Sequence, residues 1–446
     1  MNLNGQKIAI LGAGKSGLGA ARLALKLGAV PVVFDDGDPK KLEKAVSDFQ
    51  LEGIKSVIGL EEAGQACLST RFDLAVVSPG LDASWPLPRL FVNVGVPLIG
   101  ELEFAWRELK DIPVVAITGT NGKTTTTELL ERVFKGCGKR TIACGNYGLA
   151  LSEVACSDEK YDMLMVEVSS FQLETISSFH PKVALWLNFA PDHLDRYPNN
   201  EAYFAAKRRI FDYMESDDLT VIRAGESFQV STRKLTFSTE GEVKADFELR
   251  DNAIWFRDVR LAAVSELPLQ ERHNIENEMA VLAAGWSLGL KFEEMLVALA
   301  GYEPARHRCE LVRILNGRRY INDSKATNLH ALETCLKSQD EPVVLIAGGK
   351  EKGLDYHPFK PLLTEKVGAM VAIGEIADKL CDLFSDIVPC HKAGSVEDAV
   401  TLATTLANPN QSIVFSPGTS SFDMFSGYVE RGNVFRAAVM ALPDAN

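Results

Sequence analysis

Val114-Val115-Ala116-Ile117-Thr118-Gly119-Thr120-Asn121-Gly122-Lys123-Thr124 is the stretch on which the fold of this chain turns. The β-branched run Val114 to Thr118 predicts a strand, the glycines around Thr120 and Asn121 predict a tight loop, and a helical pattern begins at Thr125. Strand, glycine-rich loop and helix in that order form the setting of a phosphate-binding loop. The strict G-x-x-x-x-G-K-[ST] spacing would need glycine at Ile117, so the pattern departs at its N-terminal end, but G-K-T remains. Backbone N–H groups and the helix dipole hold phosphate there, Lys123 reaches the outer phosphates of ATP, and the Thr124 hydroxyl suits Mg²⁺. A lysine set into a glycine turn is costly to bury without an anion, which weighs against a purely structural loop. The expected ATP-binding set is Gly119, Thr120, Asn121, Gly122, Lys123, Thr124 and Thr125.

Outward from this loop, short β-branched runs alternate with longer helical patterns, which predicts an α/β protein with parallel sheets. Strands are expected at Lys7 to Leu11, Val32 to Phe34, Leu74 to Val77, Met163 to Val168, Val183 to Leu187, Val343 to Ala347, Ala369 to Ile373 and Ser412 to Ser416. Leu98 to Pro113 reads as helical, and Asp217 to Leu269 reads as antiparallel pieces (Ala245 to Leu249, Ala253 to Phe256) appended to the centre. The chain has 446 residues, and at roughly 100 to 200 residues per domain three domains are expected, at 1–100, 101–304 and 305–446.

A hydrophobic fraction of 46% and a charged fraction of 24% fit an ordinary globular protein rather than a disordered one. The formal charge of −13, with no run of basic residues, disfavours nucleic acid as a partner. Eight cysteines without a C-x-x-C pair read as reduced thiols rather than a zinc framework. No signal peptide and no membrane-spanning apolar run are visible, so a cytoplasmic protein is expected.

Before the central loop, Gly12-Ala13-Gly14-Lys15-Ser16-Gly17 follows a strand and opens a helix, with Asp35 and Asp36 ending the next strand. This is a dinucleotide-binding fingerprint, and taken alone it leaves NAD, another nucleotide diphosphate, or a mere tight turn all open. Ser78-Pro79-Gly80 should lie beside it on the same sheet edge. After the central loop, Glu167 ends a strand where a second magnesium ligand would sit, although a helix-capping acid reads the same way. His193 lies in the polar loop Pro191-Asp192-His193-Leu194-Asp195-Arg196. On a helical pattern with Tyr203, Ala206, Ile210 and Phe211, Lys207 by itself reads as a solvated surface lysine.

The runs G-T-N-G-K-T-T, E-V-S-S-F-Q-L, D-H-L-D-R-Y and A-K-x-x-I-F, in this order, resemble the Mur ligase family. Asn322-Asp323-Ser324-Lys325-Ala326-Thr327-Asn328, Gly348-Gly349-Lys350-Glu351-Lys352-Gly353 and the stretch from Ser416-Pro417 through Ser421-Phe422-Asp423-Met424-Phe425 are similar to its D-glutamate-adding branch. The resemblance spans essentially the whole chain. It implies a Rossmann-like N-terminal domain, a P-loop ATPase centre and a Rossmann-like C-terminal domain, working as a monomer. The reaction implied is ATP-dependent amide-bond formation between UDP-N-acetylmuramoyl-L-alanine and D-glutamate through an acyl phosphate.

Residue by residue, the resemblance implies that Gly14, Lys15 and Ser16, with Asp36 and Gly80 nearby, cradle the UDP diphosphate, and that Asn146 lies near the UDP-linked substrate. Thr124 and Glu167 would hold one Mg²⁺, and His193 with a carbamylated Lys207 a second, which reverses the surface reading of that lysine. Asn277 would read adenine, Arg308 and Asp323 would meet ATP, and Lys325 would act near the reacting groups with Lys123. Thr327, Lys352, Ser421 and Tyr428 would take D-glutamate. Two departures bear on this: Glu271 stands where the family usually has glycine before His273-Asn274, and Gly418-Thr419-Ser420 replaces a more usual alanine and a different small pair. The competing readings are an NAD-dependent oxidoreductase, a binding-only regulatory protein, and a Mur-type ligase adding a different amino acid.

Overall fold

A computed structural model describes residues 2–194, 196–303 and 306–443. Asp195 of the polar loop and the expected boundary at residues 304 and 305 lie outside the described residues. Among the described residues three sheets form, each dominated by parallel pairs, which is the α/β class that the alternating pattern predicts. The chain divides into two compact units, one holding Met1–Phe189 and Phe204–Tyr302 and the other Ala190–Tyr203 and Glu303–Asn446.

The first unit contains two of the sheets. One is wholly parallel, in the order Lys55–Ile58, Val30–Asp35, Lys7–Leu11, Leu74–Val77, Leu98–Gly100. Its last strand corrects the reading of Leu98 to Pro113 as helical throughout: Leu98–Gly100 completes the sheet, and the helix runs only over Glu101–Leu109. The other sheet begins with Thr141–Gly145, Met163–Glu167, Val114–Thr118 and Val183–Trp186. It continues in parallel through Leu219–Arg223, Arg233–Ser238 and Phe247–Arg250. Ala253–Phe256 and Val259–Ala263 close it antiparallel; the two pieces read as antiparallel do pair so, as Phe247–Arg250 with Ala253–Phe256, whereas Leu219–Arg223 and Arg233–Ser238 in the same region extend the main sheet in parallel. All five residues of Val114–Thr118 are buried, as a central parallel strand covered on both faces requires.

Within this unit the helix Lys15–Lys26 packs on Leu151–Cys156 at Gly19, where a Cβ would come within 2.5 Å of Ser152 Oγ. The buried Glu101 carboxylate accepts hydrogen bonds from Ser152 N at 2.7 Å and Ser152 Oγ at 2.5 Å, while burial pushes its carboxyl above the ordinary range.

Glu278, on the helix Arg272–Ser287, is fully buried. Its Oε1 accepts from Leu269 N at 3.2 Å and its Oε2 has no hydrogen-bond partner, so burial pushes the carboxyl up to about 8. The folded chain keeps this proton to about pH 8, whereas an unfolded chain releases it near its ordinary value. Fewer protons are then bound in the unfolded state across that window, and stability falls as pH rises through it. Glu278→Gln is expected to unfold at the same urea concentration as the parent at pH 5 and to be more stable at pH 9, by on the order of 2–4 kcal/mol. A gap that does not widen with pH would contradict the buried acid.

The second unit is built on one sheet, in the order Glu310–Leu315, Arg318–Asn322, Ser412–Phe415, Val343–Gly348, Val367–Ile373, Cys390–Lys392. Its first pair is antiparallel and the rest are parallel.

Candidate active site

The central glycine loop leaves the strand Val114–Thr118 and opens the helix Lys123–Gly136. Gly122 has a φ of +84°, and a Cβ there would strike Asn277 Oδ1 at 2.5 Å. The loop therefore needs glycine for both conformation and space. Asn188, two residues past the end of the neighbouring strand Val183–Trp186, clamps it: Asn188 Oδ1 accepts from Asn121 N at 2.9 Å, its Nδ2 donates to Asn121 O at 3.1 Å, and its carbonyl accepts from Thr120 N at 3.1 Å. Lys123 Nζ donates to the carbonyls of Gly119 at 2.7 Å and Thr120 at 2.9 Å, placing its charge over the loop.

Lys207 is 1% exposed, and its Nζ donates to Gly119 O at 2.8 Å. This overturns its reading as a solvated surface lysine. On either side of it, Phe204 and Phe211 pack against the Trp186 ring at 5.3 and 6.1 Å, with Phe228 on the same ring at 5.0 Å. The helix Asn200–Arg208 is thus fixed to the strand Val183–Trp186 through an aromatic cluster. Asn277, expected at adenine, is buried against Gly122 despite Glu271 in the turn before its helix.

Glu167 ends its strand opposite Ile117 in register and is 2% exposed. Its Oε1 accepts from Asn146 Nδ2 at 2.7 Å, and its Oε2 is buried with no hydrogen-bond partner. A carboxylate oxygen left unsatisfied in the interior is destabilising unless something else binds it. Next to a phosphate-binding loop a hard cation such as magnesium fits that oxygen, with the Thr124 hydroxyl as an oxygen donor of the same kind. The capping-acid alternative is not what the structure gives: the helix Ser170–Leu173 is capped by Ser169, whose Oγ accepts from Gln172 N.

In the first sheet, Gly12, Gly14, Lys15, Ser16, Asp36 and Gly80 all lie just beyond the C-terminal ends of parallel strands, the edge where α/β sheets bind ligands. Gly17 is required by packing, since a Cβ would meet Gly12 O at 1.9 Å, whereas Gly14 faces open space. The carboxylate tied to this loop is Asp35, whose Oδ2 accepts from Ala13 N at 2.7 Å, while Asp36 is exposed.

The second unit gathers a different set. A cavity of about 380 Å³ is lined by Thr327, Ser420, Ser421, Phe422 and Tyr428 among others. Lys325 Nζ lies 5.3 Å over the Tyr428 ring. Lys352 is held beside this group by a bond to Thr327 O at 3.4 Å, and it forms a buried ion pair with Asp192 at 2.6 Å. Asp192 also accepts from Asn328 Nδ2 at 3.1 Å and from His193 N at 2.8 Å. Burial works to raise the Asp192 carboxyl, but the charges of His193 and Lys352 outweigh it and hold it below the ordinary carboxylate range. The His193 backbone has a φ of +55°, and its ring stands 5.6 Å from that of Tyr203.

Burial pushes the Asp323 carboxyl up to about 6, against a hydrogen bond from Ser416 Oγ at 2.8 Å. Gly418 takes φ +70° beside Leu332, and Thr419 Oγ1 donates to Lys350 O at 2.5 Å. The unusual Gly-Thr pair thus ties the Gly348–Lys350 loop to the cavity wall.

Two roles escaped the sequence reading, the clamp of Asn188 and the pairing of Asp192, and of the two acids it named at the end of the second strand, Asp35 rather than Asp36 is the one bound to the loop. Asn188 and Asp35 are polar residues at or near the end of a strand, and that position was the available signal, whereas Asp192 lies in a loop with none. Asn188→Ala is expected to weaken ATP binding about 10-fold by calorimetry, because two loop bonds go at once. Asn188→Asp, which keeps the acceptor, should recover part of that loss. Equal affinities in all three proteins would show that the clamp does not shape the loop.

Comparison with known proteins accords with this arrangement. The Mur ligase middle domain model matches residues 117–285, and the Mur ligase, glutamate ligase domain model matches residues 307–418. The chain is 40% identical over 451 residues to the UDP-N-acetylmuramoylalanine--D-glutamate ligase of Geobacter metallireducens, covering 99% of each. It is 38% identical to the ligase of that name from Trichlorobacter lovleyi, covering 99% of this chain and 100% of the relative. Among solved structures, UDP-N-acetylmuramate-alanine ligase from Thermotoga maritima superposes with a TM-score of 0.63 at 19% identity, covering 98% of this chain and 99% of that one. The MurF ligase of Thermotoga maritima in complex with ADP gives a TM-score of 0.59 at 16% identity, covering 92% and 95% of the two chains, and so shares the fold. Identity of this order along the full length of both chains places this protein in the Mur ligase family.

Proposed function

We propose that this chain joins D-glutamate to UDP-N-acetylmuramoyl-L-alanine at the expense of ATP, releasing ADP and phosphate. The observation that carries this reading is the cavity lined by Thr327, Ser421 and Tyr428, in a chain that also holds a phosphate-binding loop. Hydroxyl groups with a lysine close by suit a small dicarboxylate. The full-length relatives bearing the D-glutamate ligase name support the same choice. The division of labour we propose is UDP binding by residues 1–100, ATP chemistry by 101–304 and the incoming amino acid by 305–446, in a cytoplasmic monomer.

A carboxylate is a poor electrophile, and phosphorylation gives it a leaving group. The substrate carboxylate takes the ATP γ-phosphate to form an acyl phosphate, the D-glutamate amine adds to its carbonyl carbon, and phosphate departs from the tetrahedral intermediate. Catalysis is then positioning and charge stabilisation. Gly14, Lys15 and Ser16, with Asp36 and Gly80 nearby, hold the UDP diphosphate, and Asn146 faces the substrate. Lys123 carries positive charge to the transferring phosphate, with Lys325 serving the reacting carboxylate. Asn277 contacts adenine, and Arg308 and Asp323 contact ATP. Thr327, Lys352, Ser421 and Tyr428 orient D-glutamate.

Thr124 and Glu167 would hold one magnesium ion, and His193 with carbamylated Lys207 a second; when bound, magnesium neutralises charge on the phosphates. A carbamate nitrogen keeps one N–H, so the bond from Lys207 to Gly119 O is compatible with the modification.

Phosphate release should be measured with ATP and UDP-N-acetylmuramoyl-L-alanine while D-glutamate, L-glutamate and L-lysine are offered in turn. D-glutamate should be strongly preferred, and indifference among the three would overturn the proposal. An NAD-dependent oxidoreductase is not favoured, because it leaves the Lys123 loop and the cavity unexplained.

A further inference from the structure

Among the described residues, one group of side chains in the second unit has the chemistry of a metal site, joining Asp323 to two cysteines that have no role above. Cys309 Sγ, Cys335 Sγ and an Asp323 carboxylate oxygen all lie within 4.8 Å of one another. They come from three separate places: Cys309 from the exposed turn before the strand Glu310–Leu315, Asp323 from the end of Arg318–Asn322, and Cys335 from the buried face of the helix Leu329–Lys337.

The frame around them is fixed. Ser416 Oγ donates to Asp323 Oδ2 at 2.8 Å and Cys309 N donates to Oδ1 at 3.3 Å, which sets the carboxylate plane. Asp323 N bonds Phe415 O at 2.7 Å. The turn carrying Cys309 is anchored on both sides, by Lys325 N to His307 O at 3.0 Å and by His307 N to Glu310 Oε2 at 3.0 Å. His307 itself rests on Gly432, where a Cβ would lie 2.3 Å from its Nδ1.

We propose that Cys309, Cys335 and Asp323 form a binding site for a thiophilic divalent cation of the zinc type, with the fourth position open to water on the exposed Cys309 side. Tetrahedral zinc with bonds of about 2.3 Å to sulfur and about 2.0 Å to oxygen spaces its ligand atoms by roughly 3.3–3.8 Å. The three ligand atoms, all within 4.8 Å of one another, close to that spacing on binding, with the Cys309 side chain at the exposed edge the one that moves. Two sulfurs select against magnesium and calcium, which prefer all-oxygen shells. The buried carboxylate adds a negative charge that a cation compensates and a disulfide does not. The Ser416 hydroxyl acts as the outer group that orients a ligating carboxylate. On binding, the two thiol protons pass to solvent, leaving two thiolates and one carboxylate around the ion. Resting on the proposed ATP-side role of Asp323, occupancy takes that carboxylate away from the nucleotide and so inhibits the ligase.

The full chain, kept reduced with a phosphine and free of chelator, should be titrated with Co²⁺ and then with Zn²⁺. One equivalent of Co²⁺ should produce a near-ultraviolet thiolate-to-metal band, displaced by one equivalent of Zn²⁺ and untouched by millimolar Mg²⁺. Cys309→Ser, at an exposed position and so safe for folding, and Cys335→Ser should each roughly halve the band and weaken binding at least about 10-fold. Asp323→Asn should weaken binding without lowering the band per bound ion. Absence of the band, a band unchanged in Cys309→Ser, or recovery of Cys309 and Cys335 as a disulfide without metal uptake would each overturn the site. Stoichiometric Zn²⁺ should also suppress phosphate release in the parent but not in Cys309→Ser. Metal uptake by the parent without that suppression would overturn the inhibitory link to Asp323, whatever the substrate assay above returns.

Discussion

Lys123→Met is expected to lower phosphate release from ATP and the UDP-linked substrate by about 10³-fold or more at saturating substrates, with little change in urea unfolding. The ammonium sits over the loop, bonded to the carbonyls of Gly119 and Thr120, and it is the loop's own side-chain cation. Phosphoryl transfer involves little covalent participation by the protein, so placed charge supplies much of the rate, and one such group is worth about 10²–10³ or more. The thioether keeps the length and packing of the lysine stem while removing its charge. The loss should fall on kcat more than on KM for ATP, because loop N–H groups and the helix N-terminus still bind the phosphates. Lys123→Arg should recover little, since a planar guanidinium cannot repeat a compact ammonium between two carbonyls. A loss smaller than about tenfold in Lys123→Met would remove this lysine from the transfer step.

The loop was legible because its chemistry is local: strand, glycines, lysine and helix are adjacent in sequence, and the structure places them as read, from Val114–Thr118 to Lys123–Gly136. What escaped was set by distant packing. Leu98–Gly100 is a three-residue strand, too short for periodicity to separate from the helix that follows. Leu219–Arg223 and Arg233–Ser238 mix β-branched and polar residues, and only their neighbours decide that they run parallel. The same holds for the site. Asn188 acts on Asn121 across 67 positions, and Lys352 pairs with Asp192 across 160. No window along the chain shows such pairs, whereas sheet order brings them together. The resemblance supplied the roles that spacing does not, and for Lys207 it reversed a propensity argument that the burial of this residue contradicts.

Lys207→Ala is expected to lower kcat about 10²–10³-fold, and that loss should be partly restored by adding acetate or formate at tens of millimolar. The reasoning starts from position. The side chain is buried, and its nitrogen reaches Gly119 O at 2.8 Å. An ammonium held there adds positive charge to a loop that already contains Lys123, and it offers nothing to a hard cation. Adding CO₂ to the amine gives a carbamate, which inverts the charge and presents two oxygen donors at the tip of the same side chain while one N–H remains for Gly119 O. Truncation to alanine removes stem and carbamate together and leaves room for a small carboxylate to bring in the missing oxygens. Butyrate and larger acids should rescue less well, because the space left by a buried side chain is limited. The parent should lose activity on exhaustive dialysis in CO₂-free buffer and regain it with bicarbonate, whereas Lys207→Ala should be indifferent to bicarbonate. If Lys207→Ala keeps parental turnover at limiting Mg²⁺, the carbamate has no part in the reaction. If it is inactive but neither small carboxylates nor bicarbonate behave as stated, Lys207 acts as a loop support through Gly119 alone.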